Sequence, residues 1–531
     1  MIINRRHFLL IGLAVSGGAA LWAQACATKT TATTGEVSVP PRAATPTRSA
    51  IVAGSANGQT LRVAFPGAAK QLDPAFYSVI EEHQIGFALF DALVWVDHTL
   101  TPRPMLAESW DASANLRSWT FKLREGVQFH HGTTFSAQDV VYTFERILAP
   151  AADSPFRSTM QFVEKVEALD DYTVRFALKT PSAELPLLLG APHARIVPHD
   201  LPSALLTTKP SGTGPFQLVS HEVGERTRFM RNPNYWQPDQ PALDSLEFLF
   251  IPYPDQVNAL RNDRVDLLMQ VGTEASKALR AEPNLSVNST VSGAYQTIVM
   301  RATAKPFDKP QVREALKFCV DRNAMLAHVL KQSGVTGNDH PVAPISPFWA
   351  DLPLRPYDPD RARALLTKSG FAKGLKVDLL TSTVRPGMEE MANAFKEMTK
   401  PAGITIRIVR APAQAYWSDY AGQVPFHTGN WGFRPSIDET FMVAYHSTAK
   451  GNESNWRSPA LDDLIDQARC ERQEEQRKAL YQKAQQLLME EGAVIIPYFK
   501  PTDLAMRTTV RNFTPHPAGW LDFRTATLAA A

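Results

Sequence analysis

Cysteine is scarce in this chain: three in 531 residues. Cys319 and Cys470 fall in segments that read as helix, which favours two buried thiols over a disulfide, and Cys26 stands apart near the N-terminus. Charge of one sign is missing as well. Fifty-five Lys and Arg against 53 Asp and Glu leave a formal charge of +2, so no strong field recruits nucleic acid or an anionic membrane, and a small neutral or locally matched ligand fits better. Glycine (28) is outnumbered by proline (40), which is rich for a helical bundle and points to a mixed α and β protein with many loops.

Enzyme signatures are missing too. The chain holds neither a GxxxxGK[ST] phosphate loop nor a GxSxG elbow. His221 to Glu225, HEVGE, opens like a zinc-protease helix, but Glu225 stands where the second histidine belongs and Gly224 spoils the helix. Gly212 to Gln217, GTGPFQ, opens like a dinucleotide loop, but Gln217 replaces the third glycine and Pro215 cannot start the required helix. The adjacent His130 and His131 follow a strand; neighbouring strand residues point to opposite faces, so a turn-stabilising role is expected and no metal site. No catalytic residue and no cofactor are implied.

What is present begins with length. A chain of 531 residues exceeds the roughly 250 to 300 at which single cores stop growing, so two or three lobes are expected. Residues 1–25 read as an address: Arg5 and Arg6 precede an apolar run from Phe8 that is short and broken by Gly12, Gly17 and Gly18, a layout that resembles a twin-arginine export signal. Ala23-Gln24-Ala25 also fits ordinary signal cleavage, while the following Cys26 resembles a lipid-accepting cysteine, with Ala23 where leucine is usual. Residues 26–58, rich in Thr, Ala, Ser and Pro, carry too few large apolar side chains to repay ordering and read as a flexible tether.

From about Gly58 strand-like and helix-like segments alternate without an internal repeat. RSWTFKLR alternates Trp119, Phe121 and Leu123 with polar residues, and DYTVRFAL alternates Tyr172, Val174, Phe176 and Leu178, so both predict half-buried antiparallel strands. Between them, Ser136 with Asp139 predicts the start of a helix carrying Val140, Phe144, Ile147 and Leu148 on one face. Further on, Asp358-Pro359 and Ser458-Pro459 mark helix starts, and KVDLLT and ITIRIVR read as strands between helices, as in an α/β lobe with a largely parallel sheet.

LDPAFY, MLAESWDAS, WTFKLREGVQFHHGTTFSAQDVVYTFERI, GTGPFQLVSHEVGERTRFMRNPNYW, FDKPQVREALKFCVDR and NESNWRSPALDDLIDQAR resemble, in order, the signatures of the bacterial family 5 extracytoplasmic solute-binding proteins. These are the receptors of peptide, nickel and related ATP-binding-cassette (ABC) importers. The resemblance implies a two-lobed α/β periplasmic-binding-protein fold: a first lobe of residues 59–100, 210–302 and 497–531, a subdomain of 101–209 packed on it, and a second lobe of 303–496. Ligand would sit between the large lobes and be enclosed by hinge closure, with crossings near Ala302 and Pro497. The implied protein is a monomeric, membrane-tethered, extracytoplasmic receptor that hands a small solute to permease subunits with cytoplasmic ATPases, peptides or peptide-like acids leading. A nickel chelate, with His427 and His446 as possible imidazoles, and a chemosensory receptor not coupled to transport are the alternatives.

Family position also nominates residues. In peptide receptors the segment equivalent to GNWGFRPSIDETF bears an aspartate that pairs with the ligand's ammonium; counted from Trp431 to Phe441 without a gap, Arg434 takes that place. The sign is reversed, and a guanidinium fork suits a carboxylate or phosphate. Against this stands an internal ion pair of Arg434 with Asp438, four residues on. Other expected cleft residues are Phe76 and Tyr77 after LDP, Glu82 (with Glu81) on the same edge, Tyr295 before the first crossing, Trp417 and Trp431 in the second lobe, and Asp438 itself. Any one aromatic residue among them is more readily core than contact.

Overall fold

The computed structural model describes residues 59–529. The expected export signal, the tether and Cys26 lie outside them. Among the described residues no helix is long and apolar enough to cross a membrane.

One mixed sheet runs through the body. In spatial order its strands are Ile404–Arg410, Leu375–Thr381, Phe426–Trp431, Leu285–Met300, Tyr498–Arg507, Leu267–Leu268, Thr60–Phe65, Ser245–Phe250, Arg226–Arg231 and Phe216–Glu222. The two long central strands, Leu285–Met300 and Tyr498–Arg507, stand in the middle of this order. Leu285 to Val291 pair antiparallel with Arg507 to Pro501, and the register then shifts before Tyr295 meets Phe499. Beyond the shift, Tyr295 to Met300 pair with Trp431 to Phe426. On the return strand Tyr498 and Phe499 pair with Thr336 and Val335 of the second lobe. The change of partners therefore falls at Val291 to Tyr295, upstream of Ala302, and around Lys500, just past Pro497. An irregularity of this kind bends a strand and leaves its ladder locally unpaired.

A four-stranded antiparallel sheet, in the order Ala107–Ala112, Ser118–Leu123, Thr173–Leu178, Val163–Asp170, forms the subdomain. Trp119, Phe121 and Leu123 turn inward while Lys122 stays exposed, the alternation that the sequence shows. Helix Ala137–Leu148 lays Phe144 edge-on to Phe176 at 5.0 Å. Its start is fixed by Asp139, whose Oδ2 accepts the Ser136 amide at 2.8 Å. His130 and His131 tie the subdomain to the first lobe, the former to the Gly214 carbonyl at 3.0 Å and the latter to the Ser211 hydroxyl at 2.6 Å. GTGPFQ owes its glycines to packing: a Cβ on Gly214 would lie 2.4 Å from the Leu89 carbonyl carbon, at the end of helix Ile80–Leu89.

In the second lobe Leu375–Thr381 and Ile404–Arg410 are parallel. The antiparallel Leu285–Met300 beside Phe426–Trp431 makes the whole sheet mixed. Helices Pro359–Lys368 and Pro459–Cys470 start where the sequence marks them, with Asp358 accepting the Arg361 amide at 2.9 Å and Ser458 that of Leu461 at 3.3 Å. HEVGE lies in a hairpin instead of a helix, turning at Gly224 between Phe216–Glu222 and Arg226–Arg231. Among the described residues the two cysteines are free; Cys319 is buried, whereas Cys470 ends its helix facing solvent, where no core covers it.

Candidate functional site

The segment that carries Arg434 is held at both ends. Strand Phe426–Trp431 is fixed in the sheet with Trp431 opposite Tyr295. Helix Ile437–Ala444 starts at Ser436, whose Oγ accepts the Glu439 amide at 2.9 Å. The intervening turn leans its Phe433 ring on Gly293, where any Cβ would lie 2.0 Å from the ring. Arg434 thus precedes the helix instead of lying within it, and the alternative pairing with Asp438 does not form. Arg434 Nε lies 3.5 Å from Glu439 Oε1, and its Cζ is 5.5 Å from the centroid of the Trp431 ring. Asp438 turns inward to Arg469, 2.9 Å away, and is buried. Burial raises the carboxyls of both Asp438 and Glu439, against the lowering pull of Arg469 and Arg434 respectively.

Arg434 and Trp431 face a cavity of about 620 Å³ to which three parts of the chain contribute. Residues 80–83 and 518–520 supply Ile80, His83, Ala518 and Trp520; residues 155–193 supply Pro155, Phe156, Thr159, Leu188 and His193; residues 430–443 supply Asn430 to Ser436, Glu439 and Val443. Arg434 and Glu439 are its charged lining residues among those described. Glu439 also accepts the Thr159 hydroxyl at 3.2 Å, bridging the second lobe to the subdomain. The opposite wall is aromatic. Phe156 stacks on His193 with centroids 5.2 Å apart, and His83 meets the edge of His193 at 5.2 Å. Burial, aided by the neighbouring His193 and Arg195, pulls His83 down to about 3, so it is a neutral imidazole at neutral pH. Its buried Nε2 has no hydrogen-bond partner. Behind Asn430, the Lys500 ammonium donates to its Oδ1 at 2.7 Å; burial, with Arg385 adding, lowers that lysine to about 8.

Of the residues nominated from sequence, Trp431 and Arg434 meet in this cavity. Tyr295 stays just behind it, buried, with its hydroxyl 2.9 Å from that of Tyr445. The structure gives Tyr77 a core position instead: it is fully buried and its hydroxyl donates to the Leu72 carbonyl at 3.2 Å. Phe76 is half-buried against the subdomain core, 5.9 Å from the Arg146 guanidinium. Glu82 is spent on backbone, accepting the amides of Lys70 and Gln71 at 3.1 and 3.0 Å and that of Ser78 at 2.7 Å, and Glu81 accepts that of Gly67 at 2.9 Å. Trp417 lies outside the cavity, 39% exposed, in the turn Tyr416–Tyr420. His427 accepts the Gly422 amide at 3.2 Å, and His446 faces Thr448, Asp462 and Asp466. They do not converge, and no group of three or more His, Cys, Asp or Glu placed to hold a metal occurs among the described residues. The sequence reading missed His83, Phe156, His193 and Trp520, which come from separate segments with no local pattern.

A pocket with two charged groups on one side and neutral rings on the other can bind and orient a small molecule. The family model for bacterial extracellular solute-binding proteins, family 5, matches residues 101–453. Di/tripeptide-binding protein 2 of Pseudomonas aeruginosa (strain UCBPP-PA14) is 29% identical over 88% of this chain and 94% of its own. Among solved structures, that of HbpA2 from Haemophilus parasuis superposes with a TM-score of 0.81 at 21% identity, covering 89% of this chain and 100% of that one. The unliganded open form of the periplasmic murein tripeptide-binding protein MppA gives 0.78 at 23%, covering 89% and 98%. The fold is thus that of a two-lobed binding protein with an extra domain, and the chain belongs to the bacterial extracellular solute-binding proteins, family 5.

Proposed function

We propose that the protein captures a small peptide or peptide-like acid in the cavity between its lobes and delivers it to the permease of an ABC importer. The observation that carries this reading is Arg434, whose guanidinium stands in the cavity beside Trp431 with a single long contact to Glu439. A guanidinium so placed can form a bidentate bond to an incoming carboxylate, and the rings of Phe156, Trp431 and His193 suit the apolar or planar part of the same molecule. Arg385 and the buried Lys500 add positive charge on the side of Asn430. The lobes would part and close about Val291 to Tyr295 and Lys500, where the central strands change partners. Dipeptide-, di/tripeptide- and glutathione-binding relatives support the ligand class. The body would work outside the cytoplasm, tethered by residues 26–58 and a lipid on Cys26.

Native mass spectrometry of the gently purified chain tests the ligand class. The expected result is a single retained small acid. A retained cation, or an amine without an acidic group, would overturn the assignment.

A further inference from the structure

Beside the cavity the second lobe meets the subdomain through a buried carboxylate. Glu184 precedes the short helix Leu185–Leu188 of the subdomain and is 6% exposed. Its Oε2 accepts the Ser436 hydroxyl at 2.5 Å and the Asp438 amide at 3.2 Å, while the neighbouring Ala183 amide donates to the Arg469 carbonyl at 3.1 Å. Ser436 and Asp438 open the helix that carries Glu439, so a subdomain side chain caps a second-lobe helix. Glu184 Oε1 is buried with no hydrogen-bond partner. The charged and titratable groups around it are Asp438 with its partner Arg469, Arg477 and Tyr481. Behind Asp438 stand Asp466, His446 and Glu439, the last facing Arg434, and Cys470 lies beside Arg469.

We propose that closure of the lobes takes up one proton at Glu184, which couples solute capture to external acidity. The inference rests on the cleft reading above, since it requires the lobes to part. When they part, this contact separates and Glu184 returns to water, titrating near its ordinary value of 4.5. When they join, burial first and the Asp438 carboxylate second push it up to about 7, against the Ser436 hydroxyl and Arg477. The proton comes from solvent and forms an O–H bond on the carboxyl, taking its charge from −1 to 0. An acid whose value is higher in the closed form favours closure fully below the open-state value. That advantage is lost as pH rises from about 4.5 to about 7 and is constant above. Over this window the closure constant falls by up to about tenfold per pH unit.

Small-angle scattering of the full chain from pH 5 to 8 tests the coupling, without solute and with the natively retained solute stripped and added back. Without solute, the wild-type radius of gyration should grow between pH 5 and 7 and then level off. Glu184→Gln, neutral yet still able to accept both hydrogen bonds, should stay compact throughout. Arg477→Gln, which removes a group that favours the ionised form, should carry the transition to higher pH and serves as the test if the Glu184→Gln variant does not fold. A constant wild-type radius, or a transition unchanged in both variants, overturns the proposal. If the retained solute still compacts the chain at every pH in that case, the cleft reading stands. If it compacts nothing, that reading falls as well.

Discussion

Arg434 and Asp438 sit four residues apart and make different contacts because a helix begins between them. Asp438 is locked to Arg469 with 8% and 14% of the two side chains exposed, so removing either partner leaves a buried charge alone. Asp438→Ala should therefore lower stability by about 3 to 5 kcal/mol in chemical unfolding. Arg434, 30% exposed in a long contact with Glu439, should cost less than about 1 kcal/mol when replaced by alanine. On the proposed reading its larger effect is on binding. Calorimetric titration with the retained solute should show Arg434→Ala weakened by about 2 to 5 kcal/mol, since a ligand anion is left unpaired. Lysine should restore only part, because a point charge lacks the fork. A large stability loss with unchanged affinity in Arg434→Ala would return this residue to a purely structural role.

At the scale of elements, local chemistry was legible wherever a run of residues decides its own conformation. The alternation around Trp119 and Phe121, the Ser136–Asp139 start and the Asp358 and Ser458 caps are such cases, because period and cap chemistry lie within a few residues. The site was less so. Tyr77 and Glu82 look like contacts beside LDP, yet tertiary packing turns one into the core and spends the other on backbone amides. His83, Phe156, His193 and Trp520 form one wall only after long-range folding, which no local spacing encodes. The same long-range logic makes Gly293 a test of the site. A methyl there meets the Phe433 ring at 2.0 Å, so Gly293→Ala must displace the turn that presents Arg434. The expected outcome is a stability loss of about 1 to 3 kcal/mol together with weaker solute binding. Intact affinity would show that Arg434's position does not depend on this packing.

For the whole molecule, the sheet is one continuous structure in which two long central strands change partners, while the cavity walls come from three separate stretches of the chain. On the proposed reading a solute that touches all three walls binds the closed form better than the open one, and only that difference can drive closure. Saturating solute should also raise unfolding stability by about 2.7 kcal/mol at a hundredfold excess over Kd, seen as a rise in Tm. The most direct measurement is small-angle scattering, at about pH 8 where the stripped chain is open, of that chain titrated with its retained solute, beside Arg434→Ala. The wild type should show a saturable fall in radius of gyration, and the variant the same fall only at concentrations about thirtyfold or more higher. Tight, saturable binding with no change in radius would contradict it.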